Sequence, residues 1–414
     1  MSADCFDPND GMQLTPVSEV LKRLKLRTST TIGSESLPLD YQMMGRVLAQ
    51  PIIAQRAHPP HANAAVDGFG FAASTTDQPQ FYRLVDGRAA AGSPFKGSIP
   101  SGFAVRVLTG ATIPKGVDTV VRDEDARKTR RGIEIEKAES RGANVRKAGE
   151  DIAAGELAVA AGRRLTAADL ALAAAVGEFR VDVRQSLRVA ILSTGNELIQ
   201  TGSVARPDQI YDANRPLLLS LITAFGFDPI DLGCIPDDRA ALREALDSAS
   251  KQAHVILTSG GASSGDEDHV GAILESTNRV HDWRIAIKPG RPLVLGEWCG
   301  VPVFGLPGNP VAVMVCTLIF ALPAMKVLSG QTWSEPQGFD IPAAFEKRKR
   351  GGRREYLRAR IRSGKVEAFQ SEGSGRISGL SWAEGLVELS DVAQNIRVGD
   401  RVRYIPFSSF GLTS

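Results

Sequence analysis

His254-Val-Ile-Leu-Thr-Ser-Gly-Gly-Ala-Ser-Ser-Gly-Asp-Glu-Asp-His269 decides the fold. Its apolar start reads as a buried strand, its middle as a loop and its end as the opening of a helix. Gly260, Gly261 and Gly265 let the backbone turn tightly with N–H groups outward, and the small side chains leave room for a phosphate. Asp266, Glu267 and Asp268 follow at once, so a divalent cation beside that phosphate is a second reading. A tight turn with a capped helix behind it is the plain alternative.

Outward from this stretch, residues 187–330 alternate strand and helix. Strands are expected at Arg188-Val-Ala-Ile-Leu, Ile230-Asp-Leu, His254-Val-Ile-Leu, Trp283-Arg-Ile-Ala-Ile, Pro292-Leu-Val-Leu and Val301-Pro-Val-Phe. Helices are expected after Pro216, Asp238 and Asp268 and from Pro310. Such alternation implies a doubly wound, mostly parallel sheet, with the ligand outside the carboxyl ends of its strands.

The flanks differ. Val17, Val20, Leu21 and Leu24 fall at helical spacing. Between Arg56 and Lys147 come short β-prone pieces broken by Gly and Pro, and Thr166-Ala-Ala-Asp169 reads as a capping box. The fold class is therefore multidomain, α/β plus β. Residues 28–54 with 148–184 form a small mixed domain, 55–147 a β-rich domain, 1–27 with 185–332 the α/β domain and 333–414 a terminal β domain. Tyr356, Arg358, Arg360 and Arg362 share one face of a terminal strand. That face is either solvated or an arginine contribution to an anion site.

Composition narrows the function. With 49 Lys and Arg against 47 Asp and Glu in 414 residues, the charge balance points to neither nucleic acid nor a membrane surface. Cys5, Cys234, Cys299 and Cys316 show no C-x-x-C spacing, which fits reduced thiols and a cytoplasmic location. The first residues lack the basic start and apolar core of a secretory signal, and Val311–Met325 reads as a buried helix rather than a membrane span. A Walker motif, G-x-G-x-x-G after the first strand and H-x-x-x-H are all absent from the sequence.

Applied to the α/β segment, the strand-end rule gathers Ser193-Thr-Gly-Asn-Glu197, Pro236-Asp-Asp238, the glycine loop with Asp268, Lys288-Pro-Gly-Arg-Pro292 and Gly305-Leu-Pro-Gly-Asn-Pro310 on one rim. Carboxylates from three loops, two cations and two helix starts suit a phosphorylated ligand with a hard metal ion. Asp237 or Asp238 and Asp268 could instead be helix caps, Pro310 an ordinary first helical residue, and Lys288 with Arg291 a surface pair.

Five motifs in this order resemble the molybdopterin molybdenumtransferase family, which includes enzymes similar to the gephyrin E domain. They are Ala65-Val-Asp-Gly-Phe69, Leu108-Thr-Gly-Ala-Thr-Ile-Pro114, Gly149-Glu-Asp-Ile152, the glycine loop with Asp268, and Ile287-Lys-Pro-Gly-Arg-Pro292 followed by Leu306-Pro-Gly-Asn-Pro310. The resemblance runs from about residue 16 to the C-terminus. It implies a homodimer with a shared site, insertion of molybdate into adenylylated molybdopterin, release of AMP with help from Mg²⁺, and delivery to downstream molybdoenzymes.

Carried over by motif, Asp67, Asp151, Glu197 and Asp268 become candidate catalytic acids, and Glu197, Asp237, Asp238 and Asp268 candidate metal ligands. Thr109, Gly260, Gly261, Ser263, Gly265, Lys288, Arg291, Pro307, Asn309 and Arg358 become candidate substrate contacts. The chain departs from the pattern at Ala62 and Ala64, where the family usually has Asp and Ser, at Arg291 and Gly271, where it has Lys, and at Ala312, where serine is common. Loss of the acid and hydroxyl at 62 and 64 motivates a second reading, a non-catalytic molybdopterin carrier or scaffold. A nucleotide-pyrophosphate hydrolase on the same α/β module is a third.

Overall fold

Residues 14–74, 80–261, 269–276, 280–282, 284–291, 293–371 and 376–412 are described by the structure, a computed structural model. Ser263, Gly265 and Asp268 lie outside them. The chain forms two compact units, Met1–Glu35 with Arg184–Ser414, and Ser36–Val183.

The larger unit is built on a six-stranded sheet in the order Asp228–Ile235, Arg188–Thr194, Val255–Ser259, Val301–Leu306, Val294–Trp298, Val280–Asp282. The first four strands are parallel, Val294–Trp298 runs opposite to them, and Val280–Asp282 runs opposite to Val294–Trp298. Both faces are buried, as the unbroken apolar strands demand. Val189, Ile191, Val255 and Leu257 pack with Leu218, Ile222 and the Pro310–Cys316 helix on one side. Ala190, Leu192 and Ile256 pack with Leu242, Leu246, Ile273 and Leu274 on the other. Period-2 alternation along each strand thus feeds two cores.

Asn309 caps the apolar helix, its side chain accepting from the N–H groups of Val311 and Ala312. Thr317–Ala321 then runs as a π-helical stretch before Leu322–Leu328. Pro323 has no N–H to donate to the preceding turn, and a wider turn accommodates that loss. Pro310–Leu328 is long and apolar enough by composition to cross a membrane, yet 89% of its apolar window is buried in this core.

One expected strand belongs elsewhere. Of the expected strand Trp283–Ile287, Trp283 lies outside the described residues and the rest is not a strand of the central sheet. Instead Ile287–Lys288 pairs in parallel with Arg354–Glu355 and forms an edge of the terminal six-stranded sheet. The Arg354 N–H donates to the Ala286 carbonyl at 2.8 Å. The remaining strands of that sheet, Lys365–Ala368, Arg354–Arg362, Gly385–Leu389, Arg401–Pro406 and Phe339–Pro342, pair antiparallel.

In Ser36–Val183 one apolar cluster joins Met43, Leu48 and Ile52 to Val159, Leu165, Ala173 and Val183. Two others lie on a six-stranded sheet that contains Gly68–Phe71 and Phe103–Val107. Thr166 and Asp169 form the capping box of the Ala167–Ala175 helix. Gly68 is dictated by close approach, since a Cβ there would meet the Val121 carbonyl oxygen at 1.8 Å.

Candidate functional site

The register of the central sheet places five loops at one rim. Thr194 lies opposite Ile235, Ser193 opposite Ser259, and Ser259 opposite Leu306, so these parallel strands end together. Val294 is opposite Gly305, so the antiparallel strand begins at the same rim and brings the segment after Lys288 to it. Glu197, Asp237, Gly260, Gly261, Arg291, Pro307 and Asn309 therefore come from loops at one edge.

Hydrogen bonds join these loops. Asn196 donates its N–H to Asp237 Oδ2 at 2.9 Å, and Asp237 donates its own to Asn196 Oδ1 at 3.3 Å. The amide of Asn214 donates to Ser259 Oγ and to the Gly308 carbonyl, both at 2.7 Å. Gly260 donates its N–H to the Leu306 carbonyl at 3.2 Å. Gly260 is left-handed at φ +88°, and a Cβ on it would meet the Thr194 carbonyl oxygen at 2.4 Å. Only glycine fits there.

Beneath the rim lies a polar floor. Ser193, Thr194, Asp212, Asn214, Thr258 and Ser259 are buried. Ser193 Oγ, Thr194 Oγ1, Thr258 Oγ1 and Asn214 Oδ1 have no hydrogen-bond partner. Buried hydroxyls without partners are rare in a folded chain and point to a place where water or a polar ligand completes them. Asp212 Oδ1 accepts from the N–H groups of Asn214 and Arg215, each at 3.1 Å, and Arg215 reaches Asp231 at 2.8 Å.

Asp212 and Asn214 are absent from the residues chosen by sequence reasoning. The helix begins at Asn214, not after Pro216, and an Asp-x-Asn in front of a helix reads as an ordinary cap. The usable signal was two amide or acid side chains in the loop that leads from the Ile210–Tyr211 strand to a helix of an α/β sheet.

Two of the candidates make backbone contacts in the structure. Asp238 caps the Arg239–Gln252 helix, accepting from Ala240 and Ala241 N–H at 3.0 and 2.8 Å, so its Oδ1 is occupied by backbone. Among the described residues no three His, Cys, Asp or Glu side chains stand together as a metal cage. Arg358 faces inward, 6% exposed, and donates to the carbonyls of Arg376 at 2.6 Å and Ser371 at 2.7 Å while lying over the Phe369 ring. Burial pushes its pKa down. Its donors serve these backbone oxygens, and Arg360 and Arg362 on the same face pair with Glu367 and Glu384.

Lys288 stands beside the terminal sheet, 4.0 Å from Glu355 Oε1. Asn309 uses its side-chain oxygen as a helix cap, and Pro307 is buried beside it. Cys234, on the edge strand, has its pKa raised first by burial and then by the charge of Asp212, with Asp237 and Glu197 adding to it. The rim is acidic on that side.

In the other unit the structure brings Asp67 and Thr109 together. Asp67 Oδ1 accepts from the Thr109 N–H and hydroxyl, both at 2.7 Å. These two bonds, the backbone one first, hold the carboxyl below its usual pKa, with Arg106 assisting. Asp151 sits on a separate turn, where its N–H donates to the His58 carbonyl at 3.1 Å.

Comparison with known proteins places these features in a family. The MoeA N-terminal region (domain I and II) matches residues 15–177, a "Probable molybdopterin binding domain" matches 190–327, and the MoeA C-terminal region (domain IV) matches 340–407. A molybdopterin molybdenumtransferase of Haemophilus influenzae is 34% identical over 94% of this chain and 97% of its own length. Gephyrin of Dictyostelium discoideum is 30% identical over 77% of this chain and 50% of its own. A crystal structure of the molybdopterin biosynthesis moeA protein from Pyrococcus horikoshii OT3 superposes with a TM-score of 0.84 at 27% identity, covering 95% of this chain and 100% of that one.

Proposed function

This chain belongs to the molybdopterin molybdenumtransferase family and acts in molybdenum cofactor biosynthesis, and we propose that the rim of its α/β sheet is where molybdate enters adenylylated molybdopterin and AMP leaves. The observation that carries this reading is the Asn214 clamp. One buried amide fixes the end of the Val255–Ser259 strand to the Pro307–Asn309 loop, over hydroxyls that lack partners.

The chemistry follows from charge. Cleaving the bridge between the pterin phosphate and AMP concentrates negative charge on both phosphates. The backbone N–H of Gly261 and the cations Lys288 and Arg291, all on loops of this rim, would stabilise that charge. Molybdate is itself a dianion, and the fork of Arg291 suits a tetrahedral oxyanion.

Mg²⁺ fits the opposite side of the rim. Glu197 and Asp237 offer hard oxygens on linked loops, and this ion commonly takes one or two carboxylates with the rest of its shell from phosphate and water. When bound it would neutralise phosphate charge. Glu197 and Asp237 would hold it, with Asp268 as a third candidate; Asp238 is committed to its helix cap.

We also propose a cytoplasmic homodimer. The Ser36–Val183 unit exposes Tyr41, Met44, Leu157 and Phe179, each more than half accessible, and Leu157 lies opposite the exposed Ile53. Exposed apolar side chains of this size favour a second copy as cover.

The carrier reading weakens at one of its two positions. Ala64 is fully buried against Val105, Val107 and Ala111, so a missing hydroxyl there concerns packing rather than a solvent-facing site.

Turnover tests the proposal. Purified protein given adenylylated molybdopterin should release AMP only when molybdate is added, and chelation of Mg²⁺ should slow that release. Binding of the pterin with no AMP release at saturating molybdate and Mg²⁺ would establish the carrier instead. AMP from ordinary dinucleotides without molybdate would establish the hydrolase.

A further inference from the structure

Asp67 is held through its side chain and through its backbone. Both bonds from Thr109 fall on Oδ1, so among the described residues Oδ2 takes no hydrogen bond. The Asp67 carbonyl accepts from the Asp123 N–H at 3.2 Å. The next carbonyl, that of Gly68, accepts from Arg106 Nη1 at 3.4 Å, and the same nitrogen donates to Asp123 Oδ1 at 2.7 Å. Asp123 thus holds the Asp67 backbone with its N–H and Arg106 with its carboxylate.

Sheet register puts Arg106 in this place. It stands opposite Phe69 in the antiparallel pair of Phe103–Val107 with Gly68–Phe71, and its guanidinium carbon lies 5.1 Å from the centre of the buried Phe69 ring. Lys128 Nζ is 5.3 Å from the same ring centre and 3.2 Å from Asp123 Oδ1. Two cations therefore share one carboxylate, and the cluster keeps a surplus positive charge. On the other neighbouring strand Gly68 faces Arg122, whose guanidinium is taken by Glu124 at 3.0 Å and Asp125 at 2.6 Å. The Thr109 bonds are the main reason that the Asp67 carboxyl is held low, and the Arg106 charge adds to them.

We propose that Arg106 is a positioning residue for Asp67, anchored in that role by Asp123. Arg106 fixes the backbone beside Asp67 and supplies a positive charge to its carboxylate, so that Oδ2 is presented ionised and in one direction. The grip is kept throughout turnover. This inference rests on the reading of Asp67 as an acid that the reaction needs.

The test follows molybdate-dependent AMP release across pH in a cycle of variants, with kcat and the KM for adenylylated molybdopterin read separately. Arg106→Gln removes the charge and loosens the grip. It should lower kcat by about fivefold to tenfold with KM within about twofold, because a displaced acid slows the reacting step rather than binding. Its acid limb should also move to higher pH, since Asp67 loses a neighbouring positive charge. Arg106→Lys keeps that charge, and its limb should return toward the parent's. Asp123→Ala should lower kcat about threefold alone and change it by less than about twofold in the Arg106→Gln background.

If Arg106→Gln does not fold, Arg106→Lys with and without Asp123→Ala gives the same cycle, because a lysine ammonium also pairs with Asp123. A merely structural grip would lower the Tm of Arg106→Gln and leave its acid limb in place, and that result overturns the proposal. So does a rise in KM at constant kcat, or an Asp123→Ala loss that persists in full without Arg106. Asp67→Asn tests the premise separately. Parent-level release there would remove Asp67 from the reaction, whereas its loss beside a parent-like Arg106→Gln would sink the positioning role alone.

Discussion

Asn214 donates its side-chain amide to the Gly308 carbonyl at 2.7 Å, and the same nitrogen reaches Ser259 Oγ. Two loops that close the rim are thus held by one residue whose other amide atom, Oδ1, is buried without a partner.

Asn214→Ala should destabilise the protein by about 1–3 kcal/mol, because Gly308 and Ser259 lose a buried donor. Urea unfolding reads that cost. The KM for adenylylated molybdopterin should rise as well, and a variant with unchanged KM would show that the clamp supports the fold alone.

Gly260→Ala should be far more damaging than Gly308→Ala. At φ +88° the left-handed backbone costs a non-glycine residue about 1–2 kcal/mol, before the contact with the Thr194 carbonyl is counted. The nearest atom to a Cβ at Gly308 is 4.0 Å away. Thermal unfolding and pterin binding should separate the two; equal losses would mean that the loop adapts.

Thr109→Val should move the acid limb of the rate to higher pH. Asp67 is kept ionised first by the Thr109 N–H and then by its hydroxyl, and the substitution removes only the hydroxyl. A pKa that is lowered in the protein must rise toward its ordinary value when that bond is lost. A pH–rate profile without this shift would exclude Asp67 as the group whose ionisation the reaction needs.

Asp169→Asn should lower stability at neutral pH by about 1 kcal/mol, the usual weight of a helix cap. Burial alone would raise the Asp169 pKa, but bonds from Thr166 and the Arg163 guanidinium outweigh it and hold it low. The stabilisation is therefore full above the ordinary aspartate pKa and is lost as pH falls through the lowered one. Chemical denaturation should find the variant and the parent converging in strong acid, and a constant gap would contradict the assignment.

Much of the α/β domain was legible because its strands carry apolar residues on both faces, as in Val189–Leu192, and only a doubly covered sheet demands that. The strand expected to end at Ile287 was misplaced for the opposite reason, since the strand found is Ile287–Lys288. A two-residue strand has no period of its own, and its partner Arg354–Glu355 is distant along the chain.

Arg358 shows a related limit. Alternation gives the face of a strand residue but not what covers that face, here Phe369 and the Arg376 carbonyl. The strand-end rule names Glu197, Asp237, Pro307 and Asn309, which the sheet register sets on loops of one edge, whereas Asp212 and Asn214 act through bonds across loops that no local pattern announces.

Tungstate has the charge and shape of molybdate and a strong anomalous signal, so crystals soaked in tungstate with AMP test the central claim most directly. The account predicts a tungsten peak at the rim, within contact of the Pro307–Asn309 loop and of Lys288 or Arg291. Peaks confined to the arginines of the terminal sheet, with nothing at that rim, would contradict it.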